Sequence, residues 1–299
     1  GCAPSDTLEV ELKDARELID DAYRADPENR RRFLSILQFR GGVFPALEVM
    51  HYWGVLGRFI PEFMDITCMV QREFYHRYTA DMHTLNCIAH LDKIFCARRS
   101  DGLYWHYHKV LTGMRNPLLA YLILFLHDIG KGDGIRGHAE VGAEIAGRVL
   151  RRLGVPDEDA DTVVLIVKNH LEMARFWQSH DIEDEGEIAK FAAIAGDEET
   201  LKLLYITTFC DASGTAEGFW NSYKQGLHES LYRETLSYIR KGAGAENTFA
   251  KKRLKALAEL SALSEFEGRR ELVEEHMFCM PPSYFSFHNQ STAPEESLT

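Results

Sequence analysis

The sequence lacks the cysteine patterns of a disulfide-rich protein and of a zinc knuckle. Six cysteines are scattered over 299 residues, at positions 2, 68, 87, 96, 210 and 279, and none of them form a CxxC pair. Secreted disulfide frameworks and structural zinc sites both need closely spaced cysteines. We therefore expect reduced thiols and a cytoplasmic protein.

Long apolar segments are also missing. The uninterrupted run LLAYLILFL, at 118–126, has about half of the ~20 residues that a membrane span needs. Acidic residues at 6, 9, 11 and 14 follow one another too closely for the apolar core of a signal peptide, so none is expected. The run at 118–126 predicts a buried helix, and we expect no membrane partner.

An excess of positive charge is absent as well. Lysine and arginine number 34 against 46 aspartate and glutamate residues, which gives a formal net charge of −12. A protein that coats nucleic acid by bulk electrostatics needs the opposite balance. The composition therefore excludes bulk nucleic-acid binding, but it does not exclude a single phosphate pocket.

Strand signals are weak throughout. No run of alternating apolar and polar residues stands out, and hairpin dipeptides are nearly absent. Apolar residues instead recur at three- and four-residue spacing, as in TLEVELKDARELI and NRRRFLSILQFR, which predicts an all-α protein. We expect an N-terminal helical extension over 1–45, a main helical domain over 46–242, and a C-terminal helical extension with a disordered tail over 243–299. The segment YIRKGAGAEN, at 238–247, is the best candidate for a break between the main domain and the C-terminal extension, with separate amphipathic helices expected before and after it.

Ionisable residues follow several of these apolar segments. In FLHDIGKG, at 125–132, His127 and Asp128 close an apolar run, and burying both costs several kcal/mol unless something binds them. His170 comes soon after VVLIV, and Asp211 directly after LLYITTFC. Two further histidines join this group: His83 faces the core, and His138 opens a helix after a glycine-rich loop. The candidate ligands are therefore His83, His127, Asp128, His138, His170 and Asp211.

Four imidazoles and two carboxylates form a suitable shell for one or two divalent metal ions. A carboxylate can bridge two ions while neutral imidazoles fill terminal positions. Two such ions stabilise an in-line attack on phosphorus. The long sequence gaps between the six residues must be closed by tertiary packing, so their spacing alone does not establish a site. The metal stays open among Mn, Fe, Zn and Mg.

The order H…HDxGK…H…H…D resembles the HD superfamily of metal-dependent phosphohydrolases. Longer segments, among them FYHRYTADMHTL, HDIGKGDGIRGHAEVGAEIA and FWNSYK, are similar to the central HD domain of the bifunctional uridylyltransferase/uridylyl-removing enzymes (GlnD). The similarity extends from about residue 10 to about residue 285. It implies an HD helical bundle over 46–242, with the six residues above as its metal ligands.

The resemblance also implies an activity and a partner. Enzymes of that family remove UMP from the uridylylated PII nitrogen-signalling protein, so the same phosphodiester hydrolysis is expected here. By position, Asp128 and Lys131 would be catalytic; phosphate contact by Lys131 competes with a structural salt bridge to Asp128. Trp220 and Lys224 match a family motif and would contact nucleotide or partner, with core packing as the alternative for Trp220.

Two other functions stay open on the sequence alone. HD sites also serve nucleotides and cyclic dinucleotides, and a regulatory HD module would keep a structural or silent metal site. The chain has no Gly-Ser followed by paired acids, the mark of the nucleotidyltransferase domain with which the family's enzymes begin. We therefore expect a fragment or a stand-alone relative without the transferase and ACT domains, unable to transfer UMP from UTP.

Overall fold

The computed structural model of the protein describes residues 6–70, 77–134, 137–182 and 184–261. Within these ranges the regular structure is helical, without a β-strand, and one isolated bridge pairs Val70 with Thr79. The predicted all-α class is confirmed. The helices before the main core are α1 (Asp6–Ala15), α2 (Asp21–Ala25), α3 (Pro27–Leu37), α4 (Val43–Tyr52), α5 (Val55–Phe59) and α6 (Pro61–Met64).

Aspartate caps start two of these short helices. The Asp20 carboxylate accepts a hydrogen bond from the Tyr23 N–H at the start of α2, and Asp26 accepts one from Glu28 at the start of α3. Pro27 occupies the first turn of α3, where a missing N–H costs nothing. Through its buried face, α3 packs against α4 and against a helix of the main core.

A buried apolar helix lies at the centre of the main core. All eight side chains of Leu119–Leu126 are buried, as the sequence predicts for this run, and the helix packs against three neighbours. Nowhere in the described ranges does a helix combine the length and apolar composition needed to cross a membrane. The core helices are α7 (Ala80–Cys96), α8 (Leu103–Thr112), α9 (Leu119–Leu126), α10 (His138–Leu153), α11 (Asp157–Asn169), α12 (Glu172–Ser179), α13 (Glu185–Ala195) and α14 (Glu198–Thr215).

Small residues let α10 approach its neighbours closely. Gly142, Ala143 and Ala146 are buried on the inner face of α10, which packs against α11 and against the 3-10 turn Ile129–Asp133. This turn follows α9 directly. The N-terminus of α10 is therefore held beside the C-terminus of α9, where the sequence places its His-Asp pair.

The segment DADTVVLIVKNHLEMARFW, at 159–177, has the apolar spacing of a single helix but forms two. α11 ends at Asn169, and α12 begins at Glu172. Between them, the His170 imidazole is buried and its Nδ1 donates a hydrogen bond to the Val167 carbonyl at 2.7 Å. A carbonyl of the last helical turn, which has no partner within its helix, is thereby satisfied by a side chain.

The sequence reasoning missed α13. Asp184 caps this helix by accepting a hydrogen bond from the Glu187 N–H at 2.9 Å. Its buried side chains recur at helical spacing: Ile188, Phe191, Ala192 and Ala195. The acidic cap and this spacing are the signal that could have found it.

The chain divides into two compact units, Gly1–Leu236 and Ser237–Thr299. The described part of the second unit belongs to α15 (Ser222–Ser261), so the expectation of separate helices before and after 238–247 is wrong. Glycine costs about 1 kcal/mol in a helix but does not terminate one by itself. The predicted disordered tail falls mostly outside the described residues, and the boundaries 1–45, 46–242 and 243–299 stay predictions.

Candidate metal centre

The six candidate ligands come together from three helices and from the residues that directly follow two others. His83 lies on α7, His127 and Asp128 follow α9, and Asp211 lies on α14. The other two are His138 at the first position of α10 and His170 after the last residue of α11. Tertiary packing thus closes the long sequence gaps, and the donor atoms form two adjoining groups.

The first group surrounds the Nε2 atom of His83. This nitrogen lies 3.0 Å from Asp211 Oδ1 and 3.3 Å from His127 Nε2, and His127 Nε2 lies 3.7 Å from the same Asp211 oxygen. Two imidazole nitrogens and a carboxylate oxygen therefore face one point. Such a set fits a divalent ion with mixed nitrogen and oxygen ligands.

The second group adjoins the first through Asp128. Asp128 Oδ1 lies 3.3 Å from His138 Nε2 and 3.9 Å from His170 Nε2. Its other oxygen, Oδ2, lies 3.4 Å from the Nε2 atoms of both His83 and His127. One carboxylate thus presents one oxygen to each group, which is the arrangement that a bridging ligand requires.

Backbone carbonyls fix the orientation of two imidazoles. His127 Nδ1 donates to the Leu124 carbonyl, and His170 Nδ1 donates to the Val167 carbonyl, each at 2.7 Å. A carbonyl oxygen only accepts, so Nδ1 carries a hydrogen and Nε2 of the neutral ring is left with its lone pair. Burial and His127 lower the pKa of His170 to about 4, and its Nε2 is buried without a hydrogen-bond partner. That orphaned atom is accounted for if it binds a metal.

Two ionised carboxylates dominate the electrostatics of the cluster. Burial by itself raises the pKa of Asp128, but His127 and Lys131 outweigh it and hold that pKa well below its ordinary value. Burial likewise raises the pKa of Asp211, and hydrogen bonds with His127 and His83 bring it well below its ordinary value. Burial lowers the pKa of His127, whereas the two carboxylates outweigh this effect and raise it. The site therefore holds two negative charges, one buried at Asp128 and one partly buried at Asp211, that favour a cation.

Lys131 is paired with the carboxylate between the two groups. Its Nζ lies 2.6 Å from Asp128 Oδ2, and its side chain is only 7% exposed. The spacing of three residues across the 3-10 turn brings the two side chains together. Of the two roles expected for Lys131, the geometry shows the salt bridge, and the phosphate contact stays a prediction.

The sequence reasoning did not assign a role to Cys87. Its Sγ lies 3.6 Å from His83 Nε2 and within the first group of donor atoms. Burial and the Asp211 carboxylate raise the pKa of the Cys87 thiol well above its ordinary value, so it stays protonated at neutral pH. The four-residue spacing from His83 on one helix is the signal that places it there.

The two predicted substrate contacts are not part of the cluster. Trp220 lines a cavity of about 460 Å³, and its Nε1 donates to Gln225 Oε1 at 2.9 Å. Lys224 Nζ donates to the Phe219 carbonyl at 2.9 Å and lies 3.3 Å from the centroid of the Phe219 ring. Among the described residues, neither makes a hydrogen bond or ion pair with the six cluster side chains. Their roles in substrate binding stay predictions.

Gly130 sets the distance between the His-Asp pair and α10. A Cβ atom at this position would lie 2.1 Å from the His138 carbonyl oxygen and 2.4 Å from the Gly142 nitrogen. Backbone atoms cannot yield as a flexible side chain can, so only glycine fits here. The close contact places His138 within reach of Asp128.

Comparison with known proteins agrees with this architecture. Residues 82–194, which include five of the six candidate ligands, match the HD domain model, and residues 5–59 match the model of the Uridylyltransferase GlnD third domain. A bifunctional uridylyltransferase/uridylyl-removing enzyme of Azotobacter vinelandii is 38% identical over 238 residues, which are 80% of this chain and 26% of the relative. The enzyme of the same name from Ectopseudomonas mendocina is 37% identical over 231 residues, 77% of this chain and 26% of the relative.

The chain spans about a quarter of the length of the curated relatives it matches. The matched part contains the clustered histidines and the His-Asp pair, and it is helical like the rest of the described chain. Its region 82–194 matches the HD domain, and over most of its length the chain is similar to the bifunctional uridylyltransferase/uridylyl-removing enzymes.

Proposed function

We propose that this chain is a metal-dependent phosphodiester hydrolase that removes UMP from uridylylated PII protein. The observation that carries the proposal is the position of Asp128, whose two oxygens face two separate groups of imidazoles. The relatives' name, uridylyl-removing enzyme, supports the choice of substrate. The wider family serves other phosphate esters, so the substrate requires the test below.

The donor set fits divalent metal ions. His170 Nε2 is buried without a hydrogen-bond partner, and Asp128 and Asp211 hold two negative charges beside it. We propose His83, His127, Asp128, His138, His170 and Asp211 as the ligands, with Mn, Fe, Zn or Mg as the ion. Bound ions would supply Lewis acidity toward the phosphoryl group and lower the pKa of water.

The residues of the chain prepare the site before any substrate arrives. The Leu124 and Val167 carbonyls hold His127 and His170 in fixed orientation, so little reorganisation is needed when the site is filled. Lys131 holds Asp128 Oδ2 in place, and we propose that its ammonium also contacts a phosphoryl oxygen of the substrate. The resemblance implies that UMP is esterified to a tyrosine of PII, so the leaving group is a phenolate with an ordinary pKa of about 10, which can depart without a strong general acid.

One experiment tests the proposal directly. The full chain, loaded with Mn²⁺, is incubated with uridylylated PII, and release of UMP is followed by chromatography. We expect UMP release that stops on addition of a chelator. A cyclic dinucleotide and free nucleotides are run beside it as competing substrates. If the cyclic dinucleotide or the free nucleotides are hydrolysed efficiently while uridylylated PII stays uncleaved, the proposed substrate is wrong. A protein that binds metal but hydrolyses none of these compounds would favour a regulatory module.

A further inference from the structure

A cavity of about 460 Å³ lies beside the metal cluster and is not used by the proposed mechanism. It is formed by α7, α8, α14 and the segment that follows α14. Cavities of roughly 300–1,000 Å³ are the usual size of small-molecule sites in proteins. The volume is therefore sufficient for a nucleoside and small for a folded protein segment.

The cavity and the metal cluster share a turn of α14. Asp211 of the cluster is followed three residues later by Gly214, which lines the cavity and lies on the same face of the helix. The Asp211 side chain is 22% exposed, compared with 11% or less for the other five candidate ligands. The most accessible edge of the cluster is thus on the helix that leads into the cavity. A rise of 1.5 Å per residue puts the two about 4.5 Å apart along the helix axis.

The walls of the cavity suit a flat heterocycle. Tyr104, Phe209 and Trp220 supply aromatic surface, against which a nucleobase stacks with about 1–3 kcal/mol. The His90 ring hydrogen-bonds the Tyr104 hydroxyl at 2.7 Å. Burial, with a contribution from Lys93, lowers the pKa of His90 to about 4, so this wall is uncharged at neutral pH.

Polar groups are available for the edge of a pyrimidine. In the described part of the chain, the side chains of Asn86 and Ser213 line the cavity without a hydrogen bond to another residue. An amide offers both a donor and an acceptor, and a uracil edge presents one N–H between two carbonyls. Exposed Lys93 and Glu217 lie at the rim, where sugar hydroxyls can be bound.

We propose that this cavity binds the uridine nucleoside of the ester, with the phosphate at the adjoining metal cluster. This inference rests on the proposed function and adds a structural basis for the choice of nucleotide. The base stacks among the aromatic side chains, and Asn86 and Ser213 bind its polar edge. Discrimination between uridylyl esters and other phosphodiesters then resides in this cavity rather than in the metal ligands.

Ala89 offers a way to fill the cavity without removing a polar contact. It lines the cavity from α7, so the ring of Ala89→Phe would take the space of the base. The metal-loaded full chain is assayed on the p-nitrophenyl ester of UMP and on bis(p-nitrophenyl) phosphate, which has the same leaving group and no nucleoside. We expect the ratio of the two kcat/KM values to fall about tenfold, the equivalent of one lost stacking contact. An unchanged ratio would overturn the inference.

A second variant and a matched control guard against misfolding. Asn86→Leu keeps the approximate size of the side chain and removes its amide, and we expect the same ratio to fall. Ala22→Phe introduces the same ring at an exposed position of α2, far along the chain, and is expected to leave both rates as in the unmodified chain. Circular dichroism confirms folding of each variant. Equal losses on both esters for Ala89→Phe and Asn86→Leu would mean that the cavity has no specificity role.

Direct binding separates this inference from the proposed function. Equilibrium dialysis measures labelled uridine on the metal-loaded chain, since uridine has no ester to hydrolyse. Binding that weakens at least about tenfold in Ala89→Phe supports the cavity even if UMP release from PII fails. The unmodified chain could release UMP from PII while both cavity variants keep the same uridine binding and the same ratio of ester rates. That result would contradict the cavity inference but not the proposed function.

Discussion

Histidines at the ends of α9 and α11 show how single residues build this site. His127 and His170 each donate a hydrogen bond from Nδ1 to the carbonyl three residues earlier. The carbonyls of a last helical turn have no partner within the helix, so the imidazole satisfies a backbone need while it is being oriented. Nε2 is then directed to the cluster in both cases. Helix termination and ligand orientation are the same local event at these two residues.

Asp128 gives the first prediction. Replacing it with Ala removes the carboxylate that faces both groups, so we expect loss of UMP release together with a fall in bound metal. Asp128→Asn keeps the shape without the charge and should lose metal as well. Metal content by mass spectrometry and UMP release are measured on each. Asp92→Asn, at a buried carboxylate outside the cluster, is the control and should keep its metal. Full activity in Asp128→Ala would rule out the bridging role.

Lys131 gives a second prediction with a different outcome. Lys131→Ala removes a cation that competes with metal for Asp128, so metal should be retained or bound more tightly. Turnover should fall by about 10²–10⁴-fold if the ammonium also stabilises charge on the phosphoryl group. Lys202→Ala serves as the control, because Lys202 is a largely buried lysine paired with Glu198 and Glu199 away from the cluster. Unchanged turnover in Lys131→Ala would leave this lysine with a structural role only.

The residues that could be predicted from the sequence share one property. An ionisable side chain after an apolar run is costly to bury, and this single argument selects His127, Asp128, His170 and Asp211. The structure brings all of them together. Asn86 and Ser213 carry no such signal, because a polar residue on a helix ordinarily faces water. Their position in one cavity depends on the packing of α7 against α14, which the sequence pattern does not contain.

Packing between elements is tightest where the 3-10 turn after α9 meets α10. Gly130 of the turn and Gly142 of α10 lie back to back, and the His138 carbonyl is next to them. Two glycines in contact let the backbones approach more closely than side chains would permit. The distance between the His-Asp pair and the first residue of α10 is therefore set by backbone contact.

This contact predicts that Gly130→Ala damages the second group of ligands. The new Cβ would lie 2.1 Å from a backbone oxygen, so α10 must move and His138 moves with it. Overpacking of this kind costs typically 1–3 kcal/mol in stability. We expect a lower urea midpoint, reduced metal content and loss of hydrolysis. Gly147→Ala on α10 is the matched control, since its Cβ would lie 3.6 Å from the Val164 side chain, an ordinary van der Waals distance. Wild-type metal content in Gly130→Ala would contradict the argument.

Helix boundaries were less predictable than the helices themselves. The uninterrupted apolar run at 118–126 predicts a buried helix correctly, because the whole surface of that helix is buried. The division at His170 could not be read from periodicity, since the residues on either side keep helical spacing. At 238–247 the reverse holds: alternating glycine and alanine weaken a helix without ending it, and α15 includes the segment.

At the scale of the molecule, the histidines that are not in the cluster also affect stability. His228 of α15 is fully buried, stacks on the Tyr205 ring at 4.3 Å and donates from Nε2 to the Tyr205 carbonyl at 2.9 Å. Its Nδ1 is buried without a hydrogen-bond partner. Burial lowers the pKa of His228 to about 3 from the ordinary 6.5, so the folded chain keeps this ring neutral.

A depressed folded-state pKa determines the sign of the pH effect. Below pH 6.5 His228 is protonated in the unfolded chain, whereas in the folded chain it stays neutral down to about pH 3. The stability contribution is therefore present above pH 6.5 and is lost as the pH falls through this window, at up to ~1.4 kcal/mol per pH unit. Between pH 7 and pH 5 this residue alone should remove about 2 kcal/mol from the free energy of unfolding.

His228→Phe isolates that contribution. Phenylalanine keeps the stacking on Tyr205 but leaves its carbonyl without the imidazole donor, so the variant should be less stable by ~1–3 kcal/mol at pH 7. Its further loss on going to pH 5 should be smaller than that of the unmodified chain by about 2 kcal/mol, because no group titrates at this position. Urea unfolding at the two pH values measures both differences. Tyr232→Phe, in the same ring stack, changes no group that titrates in this range and should keep the unmodified pH dependence. An equal loss of stability in His228→Phe and the unmodified chain would show that His228 takes up a proton in the folded state.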